Sequence, residues 1–198
     1  MERKWGICVF GDIRGFGRWT SRAANSPEVK EPFIQKFYTL MDRFIVKHRD
    51  IYFKRVGDGF MVFKEFKSEG DGRKIADFIG IIRCLTRKAR SDVNKGLWPT
   101  PGGFRVRITS GDVFKILVVD ENDPERKRIH PEYIEYPTNA AAHLLVVNPD
   151  QFCLVTEGVI EALGQFRSMF KIKRLKIPSC YPESVNKEDV DGLYILRL

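Results

Sequence analysis

The sequence predicts an α/β fold of ferredoxin-like order, with a largely antiparallel central sheet and helices packed on it. Three observations carry that expectation. Short apolar, β-rich runs alternate with two long stretches of helical periodicity, at 26–48 and 72–91. Two pairs of those runs are joined by short Gly/Asp turns, the signature of hairpins. The resulting order is strand, helix, hairpin, helix, hairpin, helix, strand, helix, two strands.

Trp5–Phe10 reads as a buried strand that ends in the Gly-rich turn Gly11-Asp-Ile-Arg-Gly-Phe-Gly17. A helix follows from Ser26 to about His48. Ser26 can cap it, Pro27 suits its first turn, and Phe33, Phe37, Leu40, Met41, Phe44 and Ile45 recur at helical spacing. Ile51–Val56 and Phe60–Phe66 form a hairpin around Gly57-Asp58-Gly59. Gly72–Ser91 is a second amphipathic helix, with Ile75, Phe78, Ile79, Ile82 and Leu85 on one face. After a Gly/Pro loop at Asn94–Gly103, strands are expected at Phe104–Thr109 and Val113–Asp120, turning through Ser110-Gly111-Asp112. Glu121–Thr138 is polar and reads as a loop or projecting arm. Asn139–Leu145 is a short helix, Phe152–Thr156 a strand and Glu157–Leu163 a helix; Phe170–Leu175 and Leu193–Leu198 close the chain as strands.

Length and composition fit one globular domain, residues 1–198, with 43% hydrophobic and 30% charged residues. No apolar stretch approaches the roughly 18 residues that span a bilayer. The N-terminus has only a short apolar run before Asp12, unlike a secretory signal. A membrane-spanning or secreted product is therefore not expected. The four cysteines (Cys8, Cys84, Cys153, Cys180) lack CxxC spacing, and Cys8 and Cys153 sit in apolar runs, which points to a reduced, cytoplasmic setting. Lys and Arg number 34 against 26 Asp and Glu, a net charge of +8. That sign suits a polyanion, but the charges are interspersed rather than gathered into a basic arm. A nucleic-acid partner is not expected, and a phosphate-bearing small molecule fits the same sign.

Two aspartates stand at strand ends, Asp12 in Phe10-Gly-Asp-Ile-Arg-Gly-Phe-Gly17 and Asp58 in Arg55-Val-Gly-Asp-Gly-Phe60. Carboxylates on adjacent strand ends can converge, and hard oxygen ligands suit Mg²⁺ or Mn²⁺. Either aspartate alone reads equally as an ordinary turn residue. Gly15 and Gly17 free backbone N–H groups for close approach to a phosphate.

Taken together these segments resemble the catalytic domain of class III nucleotidyl cyclases, the adenylate/guanylate cyclase superfamily, over nearly the whole chain. Four motifs carry the resemblance in order: Phe10-Gly-Asp-Ile-Arg-Gly-Phe16, Lys54-Arg-Val-Gly-Asp-Gly-Phe-Met61, Arg105-Val-Arg-Ile-Thr-Ser-Gly-Asp-Val113 and, altered, Thr138-Asn-Ala-Ala-Ala-His-Leu144. The resemblance implies that Asp12 and Asp58, with the Ile13 carbonyl, hold two Mg²⁺ or Mn²⁺ ions. It implies further that the backbone at Gly15, Phe16 and Gly17 cradles the β- and γ-phosphates and that Arg105 binds the triphosphate. Asn139 matches the asparagine that orients the ribose. Four residues on, where the family carries an arginine that acts on the α-phosphate, this chain has His143. A neutral imidazole supplies less charge than a guanidinium, so His143 acts protonated, or Arg107 or Arg14 takes the role, or turnover is slow. The family's phosphate lysine has no clear counterpart, Lys176 being the nearest candidate.

The base-reading position is Lys54, a lysine as in adenylate cyclases and unlike the glutamate of guanylate cyclases. Seven residues before Asn139, where the adenine enzymes carry Asp or Thr, stands Glu132. A lysine donor and a carboxylate acceptor suit adenine N1 and N6, and equally uracil O4 and N3–H. The divergent recognition segment and the lack of a regulatory domain resemble the stand-alone bacterial Pycsar cyclases, which make cyclic UMP or cyclic CMP as an anti-phage signal. A uridylate cyclase is the expectation, with adenylate cyclase as the alternative. A catalytically silent cyclase-like regulatory domain is the non-enzymatic alternative. Because class III sites form between subunits, the resemblance also implies a homodimer. Asp12, Asp58 and Arg105 would come from one protomer, and Lys54, Asn139 and His143 from its partner.

Overall fold

A computed structural model of the chain describes residues 1–21, 27–48, 50–68, 70–94, 104–119, 129–134, 136–145, 147, 153–175 and 192–197. Its elements are β1 (Glu2–Ile13), α1 (Phe16–Thr20), α2 (Pro27–Lys47), β2 (Tyr52–Val56), β3 (Gly59–Phe66), α3 (Gly72–Asn94), β4 (Phe104–Val119), β5 (Ile129–Ile134), α4 (Tyr136–His143), β6 (Cys153–Val155), α5 (Glu157–Leu163), β7 (Lys171–Arg174) and β8 (Tyr194–Arg197). A 3₁₀ segment, Gly164–Met169, continues α5. The strands form one sheet in the order β2-β3-β1-β4-β6-β8-β7, with β5 pairing to β4. Every pairing is antiparallel except β4 with β6. This is the mixed, mostly antiparallel architecture expected from the sequence. Among the described residues, no helix is long and apolar enough to cross a membrane.

The alternation of side chains along each strand divides the sheet into two unlike faces. Ile7, Val9, Ile13, Val62, Val106 and Ile108 point to one face, where Phe37 and Met41 of α2, Phe78, Ile79 and Ile82 of α3, and Val159 and Leu163 of α5 close a continuous core. The apolar spacing of α2 and α3 buries that one stripe of each helix. On the other face lie Cys8, Met61, Phe63 and Val113, covered by Tyr133 of β5 and Ala141 of α4. Cys8 and Cys153 are buried, and burial pushes the Cys153 thiol up to about 12. Both act as small hydrophobes rather than reactive thiols.

Three local expectations are overturned. Ser110-Gly111-Asp112 is no turn, because Phe104–Val119 is one 16-residue strand. Ser110, Gly111 and Asp112 stand opposite Ile7, Gly6 and Trp5 of β1. Pairing with a strand this long satisfies their backbone groups better than a local reversal would. The polar stretch 121–138 is not all loop, since Ile129–Ile134 pairs with the far end of β4. Pro131 is tolerated because β5 pairs only with β4 and is an edge strand. Residues 121–128 and 135 lie outside the described residues, as does the expected cap Ser26. Finally, β1 runs through Ile13, so Asp12 is a strand residue, and Phe16–Thr20 is helical rather than part of a turn. Asp12 is held in the ladder from both sides, opposite Gly59 of β3 and Arg105 of β4. Helix α4 also begins earlier than expected, at Tyr136.

Candidate functional site

Strand register places Asp12, Lys54, Arg105, Arg107 and Tyr52 on the face opposite the helical core. Asp12 pairs with Arg105, Phe10 with both Met61 and Arg107, Lys54 with Met61 and Tyr52 with Phe63. Two groups of polar side chains form on this face.

The first surrounds Asp12. The Arg105 guanidinium donates twice to its carboxylate, Nε to Oδ1 at 2.6 Å and Nη2 to Oδ2 at 2.7 Å. Both side chains are largely shielded, at 18% and 16% exposure, so this fork-to-fork pair is of the strong kind. Asp58 sits in the β2–β3 turn, beside Gly59. Strands β1 and β3 approach closely here, for a Cβ on Gly59 would lie 2.4 Å from the Gly11 carbonyl oxygen. Gly57 supplies the left-handed step of the turn, at φ 56°. The Asp58 carboxyl is raised above its ordinary value, first by burial and further by the Asp12 charge, with Arg105 acting in the opposite sense. Two half-buried carboxylates that repel one another are a fit setting for a divalent cation. Mg²⁺ is commonly held by one or two carboxylates plus substrate phosphates rather than by a full protein cage. Among the described residues no cluster of three His, Cys, Asp or Glu exists, so Asp12 and Asp58 are the acidic donors such an ion would use. Ile13 is buried with its side chain in the helical core, leaving only its backbone carbonyl as a ligand.

Behind this group lies a pocket of about 290 Å³ lined by Ile13, Phe16, Ile34, Phe37, Tyr38, Gly57 and Asp58. The Tyr38 hydroxyl donates to the Gly57 carbonyl at 3.3 Å, and the Arg55 guanidinium lies 4.7 Å from the Tyr38 ring centroid. Arg55 also pairs with Asp42. Helix α2 thereby grips the turn that carries Asp58. Gly15 adopts a left-handed conformation (φ 75°) as the chain passes from β1 into α1. Phe16 packs on Trp19 at 5.6 Å, and Gly17 is open to solvent.

The second group forms where β5 crosses over the sheet. Lys54 Nζ donates to Glu132 Oε2 at 2.8 Å, and the Tyr52 hydroxyl donates to the same oxygen at 3.0 Å. Tyr133, next to Glu132, stacks edge-on against Tyr52 at 4.8 Å and donates to Glu65 at 2.6 Å, anchoring β5. Burial and the Glu132 contact both push the Tyr52 phenol upward, so it stays a donor. Tyr52 escaped the sequence reading. Its signal was its place two residues from Lys54 on one strand, which puts both on one face.

Asn139 and His143 are one turn apart on the exposed side of α4, while Ala140 and Ala141 face inward. Neither side chain makes a hydrogen bond to the described residues. The expectation that Arg107 could stand in for the missing arginine is overturned. Arg107 is fully buried, its guanidinium donating to the carbonyls of Leu144, Val106 and Val147. Burial lowers its pKa to about 10, and it stays charged at neutral pH. Lys176 and Cys180 lie outside the described residues.

The chain matches no family profile and no curated protein in sequence. Its fold, in contrast, is shared with solved structures. An adenylyl cyclase, CyaB, from P. aeruginosa superimposes with a TM-score of 0.69 at 16% identity, over 99% of this chain and 95% of that one. The guanylate cyclase domain of RhGC from Catenaria anguillulae, solved with GTP, gives 0.63 at 14% identity, over 100% and 98%. A non-canonical dimeric guanylyl cyclase domain of the RhoGC fusion protein from Blastocladiella emersonii gives 0.63 at 14%, over 98% and 97%. Sheet order, helix placement and these superpositions agree that the chain has the fold of a class III nucleotidyl cyclase catalytic domain.

Proposed function

We propose that this protein is a nucleotidyl cyclase that converts a nucleoside triphosphate, UTP in first place, to its 3′,5′-cyclic monophosphate and pyrophosphate. One observation carries the reading: a single sheet face presents two separate polar groups, Asp12–Arg105 with Asp58 and Lys54–Glu132 with Tyr52, suited to a triphosphate and to a base. The 3′-oxygen attacks the α-phosphorus, the bond to the bridging oxygen of pyrophosphate breaks, and the hydroxyl proton passes to water. Asp12, Asp58 and the Ile13 carbonyl would hold two Mg²⁺ or Mn²⁺ ions, which would supply activation of that hydroxyl and charge for the leaving group. Arg105 turns its guanidinium to the phosphates, and the backbone of Gly15, Phe16 and Gly17 lies along them. Asn139 holds the ribose, and His143 donates to the α-phosphate.

Lys54 donates to uracil O4, and Glu132 accepts from N3–H. The same two groups suit adenine, so adenylate cyclase remains the second reading. The pyrimidine is put first on the reading that Tyr52, whose hydroxyl donates to Glu132 and whose ring packs on Tyr133, narrows the space left for a base. The product belongs to the class of cyclic-nucleotide signals, here assigned to anti-phage defence.

The working assembly is a homodimer with the sites between protomers. Asn139 and His143 lack partners among the described residues of their own chain, and Leu117 and Ile134 on the β4–β5 arm are 68% and 41% exposed. Incubation with each of the four triphosphates and Mn²⁺, with the product identified by mass spectrometry, tests the reading. Cyclic UMP is expected, cyclic AMP alone reverses the base assignment, and no product from any triphosphate overturns the enzyme. Mixing the inactive variants Asp58→Ala and His143→Ala tests the shared site. Restored activity is expected, because one mixed-dimer site keeps every group.

A further inference from the structure

Helix α4 has only eight residues, and its inward contacts are chiefly Ala140 and Ala141. Alanines bury little surface, so apolar packing fixes such a short helix weakly. Just past its end Leu144 and Val147 are buried in an apolar cluster, and polar groups add a second hold. The described residues include three buried polar or charged side chains, Thr86, Arg107 and Thr109, and two of them reach α4 from alternate positions of β4. Thr109 Oγ1 donates to the Pro137 carbonyl at 2.6 Å, at the start of the helix. Arg107 donates from Nε to the Leu144 carbonyl at 2.7 Å and from Nη2 to the Val147 carbonyl at 3.2 Å, just beyond its end. A cation at the C-terminal carbonyls also answers the helix dipole. Gly111, the next residue on the same face, lets the Pro137 ring come in close, since a Cβ there would lie 3.3 Å from its Cγ.

We propose that Arg107 and Thr109 are positioning residues, a two-point clamp by which β4 fixes both ends of α4 and so sets Asn139 and His143 in place. The clamp rests on the cyclase reading for its purpose. Arg105, Arg107 and Thr109 are successive same-face residues of one strand, so in the proposed dimer one rigid strand carries the arginine of one site and, through α4, sets the Asn139 and His143 that complete the other. This gives Arg107 a function at the site without contact with a substrate. Both Asn139 and His143 act on the ribose and α-phosphate in the transition state, so loosening α4 lowers kcat more than it raises KM.

The test compares Thr109→Val, which keeps the shape and removes the donor, with Thr109→Ser, which keeps the hydroxyl, and adds Arg107→Met. Hydrogen–deuterium exchange over residues 136–147, steady-state kinetics and thermal unfolding are read for each. Thr109→Val is expected to speed exchange in α4 and to lower kcat about tenfold at near-constant KM, the loss of one buried hydrogen bond. Thr109→Ser is expected to match the wild type, and Arg107→Met to follow Thr109→Val with a larger loss. A lower melting temperature with wild-type kcat and wild-type α4 exchange overturns the clamp. If Arg107→Met does not fold, Thr109→Val decides. If the wild type cyclises no triphosphate, the cyclase reading fails by itself and exchange alone judges the clamp: faster exchange in Thr109→Val upholds it, and unchanged exchange overturns it.

Discussion

The two faces of the sheet are built by different rules. On the helical face, Ile7, Val9, Val106 and Ile108 meet three helices, and burial of apolar area does the stabilising. On the opposite face the same strands set Asp12, Arg105, Arg107, Thr109, Tyr52 and Lys54 beside a smaller apolar cluster, and each of these polar side chains has a hydrogen bond or ion pair with a defined partner. One face holds the molecule together, and the other holds groups in fixed relation to each other. The contrast follows from strand periodicity alone, because neighbouring residues on one strand serve opposite purposes.

Substitutions should separate the two. The largest effect is expected at Asp12→Ala or Asp58→Ala, which should drop cyclic product to background while circular dichroism stays native. Melting should stay near wild type in Asp58→Ala and fall in Asp12→Ala, which strands the shielded Arg105. Retained activity in Asp58→Ala would falsify its role as a metal ligand. Next, Phe78→Ala on the helical face should cost about 3–5 kcal/mol in urea unfolding, with kcat preserved in the fraction that remains folded. If it alters kcat as strongly as stability, the division of labour between the faces is wrong. A smaller effect is expected in base choice. Tyr52→Leu should raise the kcat/KM for ATP relative to UTP about tenfold, and an unchanged ratio would show that Tyr52 does not crowd the base.

The smallest concerns pH. The carboxyl of Asp58 titrates above its unfolded value, so its ionisation costs the fold stability as pH rises past about 4, with the full cost reached above the folded pKa. Asp58→Asn should therefore stabilise the metal-free protein at pH 7 and not at pH 3, as read by differential scanning calorimetry. Activity should fall as pH drops into the range just above that of an ordinary carboxyl.

How much of this was legible in the sequence differs between the faces. The helical face was nearly all readable, since the spacing in α2 and α3 and the Asp-Gly turn are local signals. The break expected at Ser110–Asp112 was an error of locality, for Ser-Gly-Asp is a turn-favouring composition, while here β1 is long enough to pair with all three residues. Strand β5 was hidden for the same reason, its polar sequence and Pro131 making sense only against the end of β4. At the site, Lys54 and Glu132 were named from motif spacing, and their 2.8 Å contact depends on β5 crossing the sheet. Arg107 was misjudged because nothing local distinguishes a buried arginine from an exposed one on an alternating strand. What reveals it is the end of α4, nearly forty positions later in the chain.

The fork between Arg105 and Asp12 has a consequence for the order of events. One guanidinium cannot grip the Asp12 carboxylate with two donors and also wrap a triphosphate. In the proposed reaction, Arg105 must change partners, and Asp12 becomes available to a cation only as the phosphates take the guanidinium over. If that reaction holds, metal and nucleotide would arrive together rather than at random. Manganese titrated without nucleotide should bind weakly to the wild type and more tightly to Arg105→Gln.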